Sequence, residues 1–315
     1  MNLTNANTEP FHQYHRRSEE FDRTTRITVA GLAYVRQQQR TSAGPVKLPT
    51  DGEPFGDNLW NQPGKSVLPA KRLLAQMGVV HIVTLLEDFC VGVKAEHDRF
   101  AALTGQPVQE NTEGNEEAEG LSPKALYSQL RFRKDTLNAV EPFYDYFVKV
   151  RNCVVHRSGR VSKDLSRYSS NEKLQACVEG WKGPRDKKIP ALPPVVLGDD
   201  LPLLPRHAIL ASEICRKIAV DADTQLMSFL GENGMIAMAA YYSLLADEPI
   251  RTAARNSAQS ILNYLVTDRY RIGLASREEA VQVLVRMDRW KSYLRKFERL
   301  KADGRLDQIR RYQGP

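Results

Sequence analysis

The sequence predicts a mainly α-helical protein, and three observations lead to that expectation. Long stretches without helix breakers alternate with short segments rich in Pro and Gly. Apolar residues in several of the long stretches recur at helical spacing. No stretch has the alternating pattern of a strand long enough for a substantial sheet, so at most two short extended pieces are expected, around the turn at residues 198–200.

The N-terminal half predicts three helices after a polar start. We expect a short helix over 24–39 and then an irregular wrap to residue 65, because Pro and Gly recur there at short intervals. A first long helix is predicted over 69–100, with Pro69 in its first turn. Ser122 and Pro123 predict the N-cap and first position of a second helix, which continues to about residue 133.

The third helix is predicted from Glu141-Pro142 to a C-terminal stop at Gly159. Its apolar residues fall on one face at helical spacing: Phe143, Tyr146, Phe147, Val150 and Val154. Four further helical patterns follow the Pro-rich segment 184–205, and they cover 206–220, 222–246, 249–267 and 276–302. The expected organisation is an N-terminal extension (1–65), a helical bundle (66–222) and a C-terminal helical region (223–315) with a basic end.

Composition narrows the functional classes. The 315 residues are 42% hydrophobic and 26% charged, which is ordinary for a soluble protein and excludes a wholly disordered or collagen-like chain. No run reaches about 18 consecutive apolar residues and the N-terminus lacks a signal-peptide core, so a cytoplasmic protein without a membrane partner is expected. The four cysteines form no CxxC pair, which indicates reduced thiols and neither disulfides nor zinc.

The charge distribution favours a polyanionic partner. The formal net charge is +7, and residues 286–315 hold most of the excess, with ten basic against four acidic residues. A second basic cluster comprises Arg157, Arg160 and Lys163. Acidic residues gather instead in a predicted solvated loop that contains Glu110, Glu113, Glu116, Glu117 and Glu119.

One motif at the end of the third helix suggests chemistry: Arg151, Asn152 and, five residues after the arginine, His156. Metal-independent RNA cleavage needs a group that moves protons and a positive charge for the phosphate. A histidine suits the first task and an arginine the second. Arg151 and His156 are about 140° apart on a helix, whereas Asn152 and His156 share a face, so Asn152 could orient the imidazole or bind phosphate.

This motif resembles the Arg-x4-His signature of the HEPN superfamily of helical-bundle ribonucleases, and the likeness covers about residues 66–222. The polar residue after the arginine and the basic loop after the histidine also resemble that family. The resemblance implies a homodimer with a composite cleft, cleavage to 2′,3′-cyclic phosphate and 5′-hydroxyl ends, and a toxin or phage-defence role with a neutralising antitoxin or a trigger. No metal or cofactor is expected.

Two other groups have competing interpretations. His81, Thr84 and Asp88 interrupt an apolar helix, and Glu87 is adjacent to them. In one interpretation they form an internal hydrogen-bonded network or a dimer contact. In the other they line one wall of the active cleft, where Glu87 or Asp88 holds Arg151 or Asn152. In the last helix, Trp290, Leu294 and Phe297 predict a core stripe, while the basic residues either face solvent or bind RNA. Those basic residues are Arg289, Arg295, Lys296 and Arg299.

Two alternatives to an enzyme remain open. His156 could merely cap a helix and Arg151 could be an ordinary surface charge, so that the chain has the fold without the activity. The chain could otherwise be a non-catalytic module that binds RNA or a protein through its basic C-terminal region. A related possibility is a nucleic-acid-binding regulator that uses the 276–302 helix, whose binding would survive loss of His156 and would fall steeply with salt.

Overall fold

The structure is a computed structural model that describes residues 2–41, 63–105, 120–181, 192, 195–246 and 257–306. These residues form ten α-helices and no β-strand, which confirms the mainly α prediction. The helices are α1 (Glu9–Thr41), α2 (Pro63–Thr104), α3 (Pro123–Gln129), α4 (Asp135–Arg157), α5 (Lys163–Ser169), α6 (Glu172–Gly180), α7 (Pro205–Ala240), α8 (Ala258–Tyr264), α9 (Glu279–Arg286) and α10 (Trp290–Ala302). Short π-helical segments, Tyr241–Leu245 and Leu265–Arg269, extend α7 and α8.

Helix α2 is the central element, because it packs against α1, α3, α4 and α7. Its apolar side chains are almost all buried between Val79 and Val93. Gly78 permits the close approach of two neighbours: a Cβ at that position would lie 2.9 Å from the Ala208 Cβ of α7 and 3.0 Å from the Phe21 ring of α1. The long helices α1 and α7 therefore pack directly on α2.

The N-terminal helix is much longer than the 24–39 prediction. Helix α1 covers 33 residues and begins at Glu9. Its polar composition concealed it, because only a few side chains at helical spacing, including Phe11, Tyr14, Ser18 and Thr25, are buried. The irregular wrap was predicted largely on residues 42–62, which lie outside the described part of the chain.

The ends of the middle helices follow the sequence signals only in part. The Ser122 hydroxyl caps α3 by accepting from the Ala125 N–H, as expected, but α3 ends at Gln129 rather than near 133. Pro69 and Pro142 were expected in first turns and lie inside α2 and α4, each of which begins about six or seven residues earlier. The predicted stop of α4 is confirmed: Ser158 is left-handed, and the Gly159 N–H donates to the Cys153 carbonyl.

The C-terminal helices are divided differently from the prediction. The patterns at 206–220 and 222–246 form one helix, α7, which contains a kink at Gly231 (φ 60°). The 276–302 pattern is two helices, because residues 287–289 make a turn with Asp288 at positive φ. The extended pieces expected around 198–200 fall partly on residues 182–191 and 193–194, which lie outside the described part of the chain; within the described part near this turn, an isolated bridge joins Arg160 and Asp200.

By length and composition alone, one described helix could span a membrane. Within residues 65–104, an 18-residue window of α2 has a mean hydropathy of 1.5, and 56% of that window is buried inside the protein. Core helices of soluble proteins pass the same test, so the expectation of no membrane contact stays a prediction.

Candidate functional site

The Arg151–His156 motif occupies the last two turns of α4, and its arginine is turned toward α2. The Arg151 Nη2 donates to Glu87 Oε1 at 2.8 Å. The Glu87 side chain is only 12% exposed and that of Arg151 is 26% exposed. Of the two acidic residues considered as partners, Glu87 is therefore the one in contact. A charge-assisted bond between two partly buried side chains holds the guanidinium in one orientation.

The surroundings of Glu87 are tightly packed. A Cβ at Gly120 would lie 2.8 Å from the Glu87 Cβ, so the chain passes Glu87 at a position that has no side chain. The Arg151 Nε is buried and has no hydrogen-bond partner in the described part of the chain. The guanidinium thus has a fixed contact with Glu87, while part of the Arg151 side chain stays open to solvent.

Asn152 and His156 have the opposite environment, since both are exposed on the outer face of α4. Their i, i+4 spacing puts Asn152 and His156 on one face of the helix. His156 is about 140° around the helix axis from Arg151. Across the described residues, no hydrogen bond joins His156 to Arg151 or Asn152. One chain therefore presents an open histidine and amide beside a partly buried arginine.

The loop after the motif is held by backbone hydrogen bonds to residues 198–201. The Val161 N–H donates to the Asp199 carbonyl, and the Leu201 N–H donates to the Gly159 carbonyl, both at 2.9 Å. The side chain of Gln76 in α2 lies 3.0 Å from the position of a Gly159 Cβ, so this loop also packs on α2. All three residues of the predicted basic cluster are exposed around this fixed loop: Arg157 at the end of α4, Arg160 in the loop and Lys163 at the start of α5.

The predicted polar stripe on α2 is divided between two surfaces. Glu87 contacts Arg151, whereas His81, Thr84 and Asp88 are exposed and line a groove between α2 and α1. The His81 ring lies 5.5 Å from the ring of Phe21 in α1. Because all three side chains are exposed, the alternative of an internal network is wrong for them.

The basic residues of α10 are far from the motif along α2. The Arg289 guanidinium donates to the Leu103 carbonyl at the end of α2, sixteen residues and about 24 Å along the helix from Glu87. Arg289, Arg295 and Arg299 are exposed, and Lys296 is half-buried. The buried stripe of α10 consists of Tyr293, Phe297 and Leu300, so the expectation that Leu294 packs in the core is wrong: it is 39% exposed.

Sequence reasoning missed a set of buried acidic side chains. Glu96 is fully buried, and burial raises its pKa to about 8; the Tyr242 hydroxyl donates to it at 3.2 Å. Burial also raises the pKa of Asp223 to about 7, and Asp223 accepts from Thr8. These contacts join residues more than a hundred positions apart, so no local pattern could reveal them. No group of His, Cys, Asp and Glu in the described residues could hold a metal ion.

Replacing Glu96 by Gln is expected to make the free energy of unfolding fall less as the pH rises from acidic to alkaline. The folded state keeps Glu96 neutral to about pH 8, whereas an unfolded glutamate ionises near pH 4.5, so stability is fully present below about pH 4.5 and falls as pH rises to about 8. The loss of stability in that window is on the order of 1 kcal/mol for each pH unit. Thermal unfolding from pH 4.5 to 8.5 measures this effect. Equal slopes for wild type and variant would contradict it.

Comparisons with known proteins identify no relative. A scan of family models, a search of curated proteins and a search of solved structures each found no match for this chain. The resemblance to HEPN ribonucleases therefore rests on the Arg151–His156 motif and its helical context.

Proposed function

We propose that this chain is a metal-independent endoribonuclease of the HEPN type. The observation that carries the proposal is the arrangement on the last turns of α4: Arg151 is held by Glu87, and Asn152 and His156 stay open to solvent one turn apart. An oriented cation and an open histidine within the last two turns of one helix are the two groups that metal-independent RNA cleavage requires.

Each residue has a distinct task in this proposal. His156 moves a proton between the 2′-hydroxyl, the leaving 5′-oxygen and solvent. Arg151 offers positive charge to the phosphate as the 2′-oxygen attacks phosphorus, and Asn152 orients the imidazole or binds a phosphate oxygen. The 2′-oxygen displaces the 5′-oxygen, so the products carry a 2′,3′-cyclic phosphate and a 5′-hydroxyl.

A second copy would supply the second proton-transfer group, because one motif contains a single histidine. The surface beside the motif supports this pairing. Val155 lies between Asn152 and His156 in sequence and is 53% exposed. An apolar side chain exposed beside a polar motif is a feature of subunit interfaces.

Replacing Val155 by Asp is expected to weaken self-association at least about a hundredfold and to abolish RNA cleavage, because the charge would be buried unpaired in the interface. Sedimentation velocity over a range of concentrations measures the association. The matched control is Val285→Asp on α9, a valine that is 57% exposed and should tolerate the change. A Val155→Asp protein that dimerises like wild type would refute the proposed interface.

The cellular role that fits this activity is a toxin or phage-defence effector, since unrestrained RNA cleavage harms the cell that makes the enzyme. This step rests on the family resemblance, and it calls for a neutralising partner or a trigger. The alternative is a binding module that uses the basic residues of α10, and the exposure of Arg289, Arg295 and Arg299 is the observation that favours it.

The direct test incubates the purified protein with total RNA in EDTA and determines the product ends. Cleavage to cyclic-phosphate and 5′-hydroxyl ends supports the proposal. RNA that is bound but left intact, with binding that falls steeply with salt, would favour the binding module instead.

A further inference from the structure

The C-terminal half of α1 and the first turns of α2 carry exposed surface that the proposed activity does not use. From Arg26 to Thr41, no residue of α1 is buried, and over residues 65–74 of α2 only Val67 is buried. We call residues 26–41 and 65–74 together the basic arm. Long helical stretches with so little buried surface are marginal by themselves, which is characteristic of a surface that a partner covers.

The charge of the basic arm has one sign. It contains six basic and no acidic residues: Arg26, Arg36, Arg40, Lys65, Lys71 and Arg72. All six are exposed except Lys71, which is half-buried, and none forms an ion pair with a described residue. Residues 42–62 join the two parts of the arm in sequence and lie outside the described residues. They contain one lysine and three acidic residues, so the net charge of residues 26–74 remains positive.

The basic side chains are also aligned. At 100° per residue, the three arginines of α1 lie within an arc of about 80°. On α2, Lys65, Leu68 and Arg72 share one face at i, i+3 and i+7. Residues 26–41 extend over about 24 Å, so the charges form a stripe that can follow an extended chain of phosphates.

The basic arm begins next to the Arg151–His156 motif. Arg72 is one turn before Gln76, whose side chain packs against Gly159 at the end of the motif loop. The same loop exposes Arg157 and Arg160. The positive charge therefore continues from Arg157 and Arg160, next to His156, to Arg72 on the arm.

We propose that the basic arm is an RNA-binding surface that holds the sugar–phosphate backbone of the RNA beside the scissile phosphodiester. The statement that this RNA is a substrate rests on the proposed nuclease function, whereas RNA binding by the arm does not. A second copy is a poor occupant, because two arms of like charge repel one another.

An anionic lipid surface is the main rival occupant, since the arm also exposes Ile27, Tyr34 and Leu73. RNA is favoured because the charge continues onto Arg157 and Arg160 beside His156, where a membrane would cover the histidine. An exposed tyrosine also gives a base a ring on which to stack.

The test measures RNA binding by fluorescence anisotropy with a 30-nucleotide single-stranded RNA, from 50 to 300 mM salt. The full-length His156→Ala protein is the background, so that the RNA stays intact. The arm variant adds Arg36→Gln, Arg40→Gln, Lys65→Gln and Arg72→Gln. We expect at least tenfold weaker binding at 100 mM salt and a slope of log K against log salt that is smaller by about 3, from about 0.7 for each lost phosphate contact.

The matched control removes the same charge elsewhere, through Arg133→Gln, Lys134→Gln, Lys173→Gln and Arg277→Gln, all at exposed positions. It should bind RNA like the background protein. Equal effects of both sets, or no effect of the arm set, would overturn the proposal. So would an arm set that lowers binding to phosphatidylserine vesicles and leaves RNA binding unchanged.

A second readout separates the arm from the proposed cleavage chemistry. With His156 intact, the arm variant should raise KM for long RNA at least tenfold and leave kcat within about twofold, because the arm touches no reacting atom. If the wild type binds RNA through the arm but cuts none, the nuclease proposal fails and the arm proposal stands. If the arm variant cuts and binds like wild type, only the arm proposal fails.

Discussion

Replacing His156 by Ala is expected to lower the rate of RNA cleavage by about a thousandfold or more. A side chain that transfers protons typically contributes a factor of 10²–10⁴ to the rate. His156 and its counterpart in the second copy would carry out both proton transfers, so the substitution removes both groups at once. His156 is exposed, so its removal leaves no cavity and should not alter the thermal unfolding temperature. The measurement is the cleavage rate of end-labelled RNA in EDTA, together with growth after induction.

The control for this experiment is His15→Ala, because His15 is a partly exposed histidine on α1 that pairs with Glu19 on the same helix, far in sequence from the motif. This variant should cut RNA and arrest growth like wild type. If His156→Ala also matches wild type in both assays, His156 is structural, and the nuclease proposal is refuted. The basic surfaces of the arm and α10 would then be the remaining functional candidates.

The helical nature of the chain could be predicted because it depends on local patterns. Helix α4 is an example: its apolar residues repeat on one face, and Phe143, Tyr146, Phe147 and Val150 are buried as expected. Helix α1 shows where this reasoning fails. Its polar residues hide a stripe of few buried side chains, and the helix is stabilised by packing on α2, which no local pattern records.

The candidate site could likewise be predicted only where it depends on local helical geometry and not on packing between helices. The positions of Asn152 and His156 on one exposed face result from helical geometry alone. The contact between Glu87 and Arg151 joins residues 64 positions apart, and sequence spacing suggested two acids for it without deciding between them. Only the packing of α4 on α2 selects Glu87 and turns Asp88 toward the groove beside α1.

The buried ion pair between Glu9 and Arg269 lies beyond sequence reasoning, because 260 residues separate its members. The Arg269 Nε and Nη2 donate to the two carboxylate oxygens of Glu9 at 2.7 and 2.6 Å. The Glu9 side chain is 1% exposed and also accepts from the Gln13 side chain at 2.9 Å. This bidentate pair connects the start of α1 to the π-helical end of α8.

Replacing Arg269 by Ala is expected to lower the free energy of unfolding by about 3–5 kcal/mol, because it leaves the Glu9 carboxylate buried without its counter-charge. Urea unfolding followed by circular dichroism measures the change as a lower midpoint with an unaltered slope. The matched control, Arg277→Ala, removes an exposed arginine close by in sequence and should change the free energy by less than about 0.5 kcal/mol.

The double variant Glu9→Gln with Arg269→Ala separates the cost of an unpaired charge from the value of the pair itself. Removing both charges should recover most of the stability that Arg269→Ala loses, because desolvating a lone carboxylate is what makes the single change costly. A loss below about 1 kcal/mol for Arg269→Ala would contradict the burial of Glu9. A double variant as unstable as the single one would instead show that the side-chain packing of Arg269, and not its charge, stabilises the junction of α1 and α8.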